Sequence, residues 1–325
     1  MTIYILGMGA MGSLFGAILH LHGHNIVGLC RGMHYDAIHR NGLVYVDLKG
    51  KKKIIRPDGK FRVWKELPKN EGFRISPKDW IIIMSKVYDL EELIQQNSEI
   101  IMQQGVMGLA QNGIGNEEIV FKMLPLVRVY RILTTNGAFL ESPGVVYHTG
   151  RGYTKIGYPM SNNRPMDQIQ LNSLVDCFKT PILSGQSEPR IDVILWEKIF
   201  VNIGINAIAS INNIPNGELI ESEAHKSLMK EAITEAWEIA KALHIKVEKN
   251  LAKYVEFTYS VCANTRSNRN SMLQDLDKGR KTEIDFINGQ IVKYGMKLGI
   301  DTPVNAELTY KIKKLERGTP YETLG

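Results

Sequence analysis

A short apolar run at residues 2–6 passes at once into Gly7-Met8-Gly9-Ala10-Met11-Gly12, and then into residues 13–22 of helical composition. Strand, glycine turn and helix in that order leave few folds open, because together they form the first βα unit of a dinucleotide-binding sheet. Each glycine has its own task. Gly7 allows the tight turn, Gly9 lets a pyrophosphate approach the backbone, and Gly12 lets helix and strand pack closely. The helix start adds unpaired amide donors, with Met8, Ala10 and Met11 completing the loop. The same stretch is apolar enough to pass for a signal peptide. It lacks a basic leading region, glycines interrupt it, and no run in it approaches the ~18 apolar residues of a membrane span. It is therefore read as structure, and no membrane partner is expected.

The second strand, residues 25–30, ends at Arg31-Gly32. An NAD-specific site places Asp or Glu there, against the ribose 2′-hydroxyl, whereas a guanidinium suits a 2′-phosphate. NADPH is the cofactor this implies, with a plain surface arginine as the alternative. Residues 80–84 form a buried strand with Ser85-Lys86-Val87-Tyr88 at its carboxyl end, the edge where doubly wound sheets bind ligands. Lys86 can reach a phosphate or ribose from there. A helix at 90–103, a strand at 106–110, the turn Gln111-Asn112-Gly113-Ile114-Gly115 and a strand at 128–135 ending in Asn136-Gly137-Ala138 continue the pattern. Residues 145–148 and 153–156 suggest a hairpin, 166–178 a helix and 182–183 a last short strand. The stretch 49–79 matches no pattern that organises it.

The formal charge of +6 is spread along the chain except for Lys49, Lys51, Lys52, Lys53 and Arg56. That cluster falls between strand-like runs at 43–48 and 53–56, so a solvated hairpin accounts for it and nucleic acid is not an expected partner. Cys30, Cys177 and Cys262 are far apart and lack any CxxC spacing, which argues for a reducing, cytoplasmic setting and against a disulfide framework or zinc. His20, His22 and His24 stand where a helix ends and are favoured there by the helix dipole, so no metal is expected.

After Ser187-Glu188-Pro189 strand signals cease, which divides the chain into an α/β domain at 1–188 and an all-helical domain at 189–325. The helical domain opens on WEKIFVNIGINAIASINNIPNGEL, residues 196–219. Lys198, Asn202 and Asn206 stand at i, i+4 and i+8 on one face of it, while almost every other position is apolar. Three polar groups on a helix buried nearly all round need partners, either in neighbouring helices or in a polar ligand. Further helices are read at 220–243, 250–265 and 282–298. Their apolar faces serve equally as core or as the interface of a homodimer.

The glycine loop, Ser85-Lys86-Val87-Tyr88, Gln111-Asn112-Gly113-Ile114-Gly115-Asn116-Glu117, Trp196-Glu197-Lys198 with Asn202 and Asn206, Pro215-Asn216-Gly217-Glu218-Leu219, and Ser271-Met272-Leu273-Gln274-Asp275 leading to Thr282-Glu283-Ile284-Asp285 resemble the ketopantoate reductase family in nearly full-length order. The resemblance implies an N-terminal Rossmann-type domain, an all-helical C-terminal domain, and NADPH-dependent reduction of 2-dehydropantoate to (R)-pantoate. It makes Lys198 the proton donor and Asn202, Asn206, Asn216 and Ser271 substrate contacts. Asn112 matches a residue beside both nicotinamide and substrate, Ala138 and Glu283 match cofactor-side positions, and Arg31 and Lys86 match cationic contacts to the adenosine phosphate. Glu283 is placed to orient the lysine or to accept from a hydroxyl, with helix capping after Thr282 as its alternative; Asn216 keeps a turn reading. Other readings are reduction of another branched 2-oxoacid and an NADPH-binding regulatory protein without turnover. A site drawing Asn112 from one domain and Lys198 from the other is expected to close on its ligands.

Overall fold

A computed structural model describes residues 1–68, 73–248 and 250–318; residues 69–72, inside the unorganised 49–79 stretch, 249 and 319–325 lie outside the described residues. The chain forms two compact units. One comprises Met1–Gln111 and Asn116–Ile191, the other Asn112–Gly115 and Asp192–Gly325.

The first unit runs β1 (Thr2–Leu6), α1 (Ala10–Leu21), β2 (Asn25–Leu29), α2 (Gly32–Asn41), β3 (Leu43–Val46), β4 (Lys52–Ile55), β5 (Phe61–Trp64), β6 (Trp80–Ile83), α3 (Leu90–Gln104), β7 (Val106–Leu109), α4 (Asn116–Met123), β8 (Arg128–Thr134), β9 (Gly137–Ser142), β10 (Val145–Gly150), β11 (Thr154–Gly157), α5 (Gln168–Phe178) and β12 (Gly185–Ser187). The main sheet has the order β12-β11-β8-β7-β6-β1-β2-β5, parallel from β8 through to β5. Omitting the β3–β4 and β9–β12 segments leaves the strand order of a Rossmann sheet, with its reversal between β1 and β6. Both strands there are buried along nearly their whole length, as a sheet covered on both faces requires. A smaller sheet, β4-β3-β10-β9, covers the far side of α1. That is why residues 12–19 of α1 are buried without a break and its sequence shows no polar face.

At the reversal point backbone meets backbone. A Cβ on Gly7, whose φ is +111°, would lie 2.3 Å from the Ser85 nitrogen, and one on Gly12 would lie 2.1 Å from the Gly7 carbonyl. Beside it, Arg131 on β8 is wholly buried and donates to Glu117 Oε1 at 3.1 Å and to the Gln111 carbonyl at 2.6 Å. The Gln111 side-chain nitrogen donates in turn to the Ser85 carbonyl at 3.0 Å, so the ends of β6 and β7 are tied through one buried cation.

Residues 145–148 and 153–156 do not form the expected hairpin. They belong to different sheets: β10 pairs with β9 and β3, whereas β11 pairs with β8 and β12. The chain turns the corner at Gly152, where a Cβ would lie 2.3 Å from Thr135 Oγ1 and whose amide donates to Asn136 Oδ1. Residues 182–183 likewise lie in a turn, with Thr180 Oγ1 accepting from the Leu183 amide, and the strand follows at β12. The Lys49 to Arg56 cluster sits on the antiparallel β3–β4 pair.

The second unit runs α6 (Ile191–Asn212), a 3₁₀ turn at Asn216–Glu221, α7 (Glu223–Ala242), α8 (Leu251–Asn264), α9 (Ser271–Asp277), a 3₁₀ turn at Ile284–Phe286, α10 (Asn288–Leu298) and α11 (Pro303–Glu316). α6 is long and apolar enough to cross a membrane, but it is a core helix. Its Trp196 stacks on Tyr294 of α10, its Phe200 packs on Tyr254 of α8, and a Cβ on its Gly204 would touch Ile233 of α7. Residues 112–115 are wedged into this unit. The Ile114 amide donates to the Phe286 carbonyl, and Gly113 and Gly115, at φ of +86° and +84°, leave no room for a Cβ against Phe286 and Gln290.

Removing one partner of a buried ion pair leaves the other charge uncompensated. Glu117→Ala is expected to destabilise the first unit by about 3–5 kcal/mol, seen as a lower urea midpoint in its unfolding transition.

Candidate active site

Lys198, the first residue of the polar row on α6, meets its partners in the second unit. Lys198 Nζ donates to Asn112 Oδ1 at 2.9 Å, and Asn112 Nδ2 donates to Glu283 Oε2 at 3.4 Å. The amide is thus oriented by chemistry: its oxygen faces an ammonium and its nitrogen a carboxylate. Glu283 is buried and makes no side-chain cap to the following 3₁₀ turn; Thr282 Oγ1 accepts from the Ile284 amide instead. The capping alternative for Glu283 therefore gives way to a place in the lysine cluster. Asn112 comes from the segment that packs with the helical unit, so Lys198 and Asn112 do not arise from opposing units as expected.

Farther along α6, Asn202 is half-buried and Asn206 buried. Asn270, which the sequence reading passed over, lies beside them: its Nδ2 is 3.5 Å from the Asn206 carbonyl, and its Oδ1 accepts from the Met272 and Leu273 amides to cap α9. An Asn directly before a short helical run is the signal that could have found it. The cap sets Ser271 in the first turn of α9, exposed. Asn216 begins a 3₁₀ turn, so its turn reading holds, but its side chain is buried. Its Nδ2 donates to Thr265 Oγ1 at 2.9 Å, while Oδ1 is left without a hydrogen bond among the described residues.

In the first unit Gly9 occupies the N-cap of α1 without a side-chain cap, no acidic residue lies in the first turn, and a Cβ on Gly9 would meet nothing within 4 Å among the described residues. Open amides beside open space suit an anion, and the loop fits the pyrophosphate of a dinucleotide. Ala10 and Met11 lie half-buried in that turn; the Met8 side chain packs inward against Gly28, so only its backbone faces the loop. Arg31 is the N-cap residue of α2, and its exposed guanidinium is held by Gln96 and Glu92 of α3. Lys86 precedes the 3₁₀ turn at Val87–Asp89, half-buried, and its carbonyl lies 3.2 Å from the Gln111 side-chain nitrogen. Ala138 is in β9, opposite His148.

A Rossmann sheet with an open glycine loop, joined to a helical unit carrying a lysine–amide–carboxylate cluster, defines a dinucleotide-dependent oxidoreductase. Residues 3–160 match the model of the ketopantoate reductase PanE/ApbA family, and residues 190–316 match that of its C-terminal domain. The chain belongs to the ketopantoate reductase family. It is 33% identical to the 2-dehydropantoate 2-reductase of Pyrococcus horikoshii, over 97% of this chain and 98% of that protein, and 30% identical to that of Archaeoglobus fulgidus, over 97% and 98%. Among solved structures it is similar to a ternary complex of D-mandelate dehydrogenase with NADH and anilino(oxo)acetate, at 27% identity, 98% and 99% coverage and a TM-score of 0.86.

The contrast between two glycines is testable. Gly9→Ala, with open space for its methyl, is expected to fold with its melting temperature nearly unchanged while dinucleotide affinity falls by about tenfold or more. Gly12→Ala forces its methyl onto the Gly7 carbonyl and is expected to lower the melting temperature itself.

Proposed function

We propose that this chain reduces 2-dehydropantoate to (R)-pantoate with NADPH, using Lys198 as the proton donor. The observation that carries the reading is the hydrogen-bonded set Lys198, Asn112 and Glu283, in a chain whose full-length relatives bear that activity in their names. NADPH, when bound, supplies the hydride; the glycine loop would hold its pyrophosphate, and Arg31 and Lys86 its adenosine phosphate.

Hydride addition to a ketone builds negative charge on the carbonyl oxygen. An ammonium offsets that charge and delivers the proton that completes the alcohol. Asn112 Oδ1 holds the Lys198 ammonium in one direction, and Glu283 secures the amide from its other side. Asn202, Asn206 and Ser271 offer neutral hydrogen-bonding groups for a carboxylate and hydroxyl, which adds no second charge to compete with the lysine. Asn216 Oδ1, buried and without a hydrogen bond among the described residues, suits the hydroxyl proton of the substrate. The thiols of Cys30, Cys177 and Cys262 are all buried and pushed up to about 12 by burial, so they stay protonated and take no part; they also suit a reducing, cytoplasmic setting.

The likeness to D-mandelate dehydrogenase favours a second reading, in which the substrate is another branched or aromatic 2-oxoacid and NADH serves as reductant. Comparing kcat/KM for ketopantoate and a panel of such acids, each with NADPH and with NADH, decides between them. Ketopantoate with NADPH is expected to lead.

Lys198→Ala is expected to lower kcat by about 10²–10⁴-fold with NADPH affinity intact; turnover like that of the wild type would remove the assigned role. Asn216→Ala is expected to raise the KM for ketopantoate about tenfold, with a smaller change in kcat, in the same steady-state assay.

A further inference from the structure

Next to the glycine loop stands an imidazole that the reaction does not use. His34, on α2, is half-buried. Its Nδ1 accepts from the Gly144 amide at 2.9 Å, in the turn between β9 and β10. A backbone N–H can only donate, so Nδ1 must carry the lone pair and the proton of the neutral ring sits on Nε2. Nε2 lies 3.0 Å from Ser13 Oγ, which therefore accepts, and the Ser13 hydroxyl passes its own proton on to the Met8 carbonyl at 3.1 Å. Ser13 is wholly buried, and its amide donates to the Gly9 carbonyl at 2.9 Å. The far end of the chain of bonds is fixed as well. Gly144 has φ of +82°, and a Cβ on it would lie 3.0 Å from that of Ala37 on α2, so no other residue fits there without strain.

We propose that His34 is a positioning residue for the cofactor loop: held as its Nε2–H tautomer by Gly144, it fixes the Met8 carbonyl through Ser13 and so keeps the glycine turn open to the dinucleotide. The proposal rests on the reading that this loop receives NADPH.

Only the neutral ring can do this, because a second ring proton would point at the Gly144 N–H. Burial lowers the pKa of His34 below the ordinary histidine value, and the Met8 carbonyl opposes that shift in part. The groups facing the ring are the Ser13 hydroxyl from α1, the Met8 carbonyl from the loop and the Gly144 amide from the β9–β10 turn. Tyr35, Asp36, His39 and Arg40 share its helix and Arg31 is its N-cap residue, and none of them contributes to the shift. With a depressed folded-state value, the neutral, bonded form is complete above pH ~6.5 and is lost as the pH falls through the lowered value.

The test is fluorescence titration of wild type, His34→Ala and His34→Gln with NADH and NADPH between pH 7.5 and 5. NADH is included because the 2′-phosphate of NADPH itself titrates near pH ~6. For NADH, wild-type affinity is expected to be flat down to pH ~6.5 and to fall below it. His34→Ala should bind NADH about five- to tenfold more weakly at pH 7.5 and show no acid limb. His34→Gln, whose amide can still donate to Ser13, should recover part of the loss, also without the limb. Nitrogen NMR of wild-type imidazoles, which needs no variant to fold, should show His34 protonated at Nε2 and bare at Nδ1 at pH 7.5. The opposite tautomer, unchanged affinity in His34→Ala, or an acid limb that survives in that variant overturns the proposal alone. Wild type that binds neither nucleotide overturns the cofactor reading and this proposal with it.

Discussion

A single cation inside the first unit fixes where three segments end. Arg131 has no access to water, and its guanidinium binds the Glu117 carboxylate and the Gln111 carbonyl, while the Gln111 amide secures Ser85. Ser85 is in turn the backbone against which Gly7 turns. Burying such a charge costs several kcal/mol unless an opposite charge of good geometry meets it, as Glu117 meets Arg131 at 3.1 Å. The strand ends that form the binding edge of the sheet therefore share one electrostatic centre. The glycine loop, the Lys86 turn and the exit toward Asn112 all follow from it.

In the helical unit the same economy of partners takes another form. α6 is nearly all apolar, so its lysine can be kept only by groups brought to it, and Asn112 and Glu283 arrive from distant points in the sequence. The Asn112 amide joins the two, its oxygen on the Lys198 ammonium and its nitrogen on the Glu283 carboxylate, so the charge of the lysine is held in place from two sides of one side chain.

Much of this was legible in the residues. The glycine loop and the β1, β2, β6 and β7 strands stand out because parallel strands buried on both faces read as short apolar runs bounded by turns. The row of Lys198, Asn202 and Asn206 stands out because polar groups at helical spacing conflict with their apolar surroundings. The bent ribbon was not legible: β8 to β11 cross between sheets at Asn136 and Gly152, and pairing across a sheet boundary leaves no local periodicity. β5, four residues alternating in burial among charged neighbours, is too short to show a period, and α2 buries only Ile38 fully, so neither carries a pattern. The allegiance of residues 112–115 was hidden for a related reason, since Gly113 and Gly115 mark a turn but not what the turn packs against. Asn270 was missed because its work is done through backbone amides.

Residues 112–115 also decide how the chain can be divided. They are enclosed by the sequence of the first unit and packed in the second, so the polypeptide crosses between units three times. A cut near residue 190 would yield a helical fragment without its own wedge, holding Lys198 and Glu283 but lacking the amide between them. During synthesis that wedge emerges long before the helices that will receive it. The two halves could not be exchanged between relatives as separate modules at one junction; a graft of the helical half would have to carry the four-residue wedge with it.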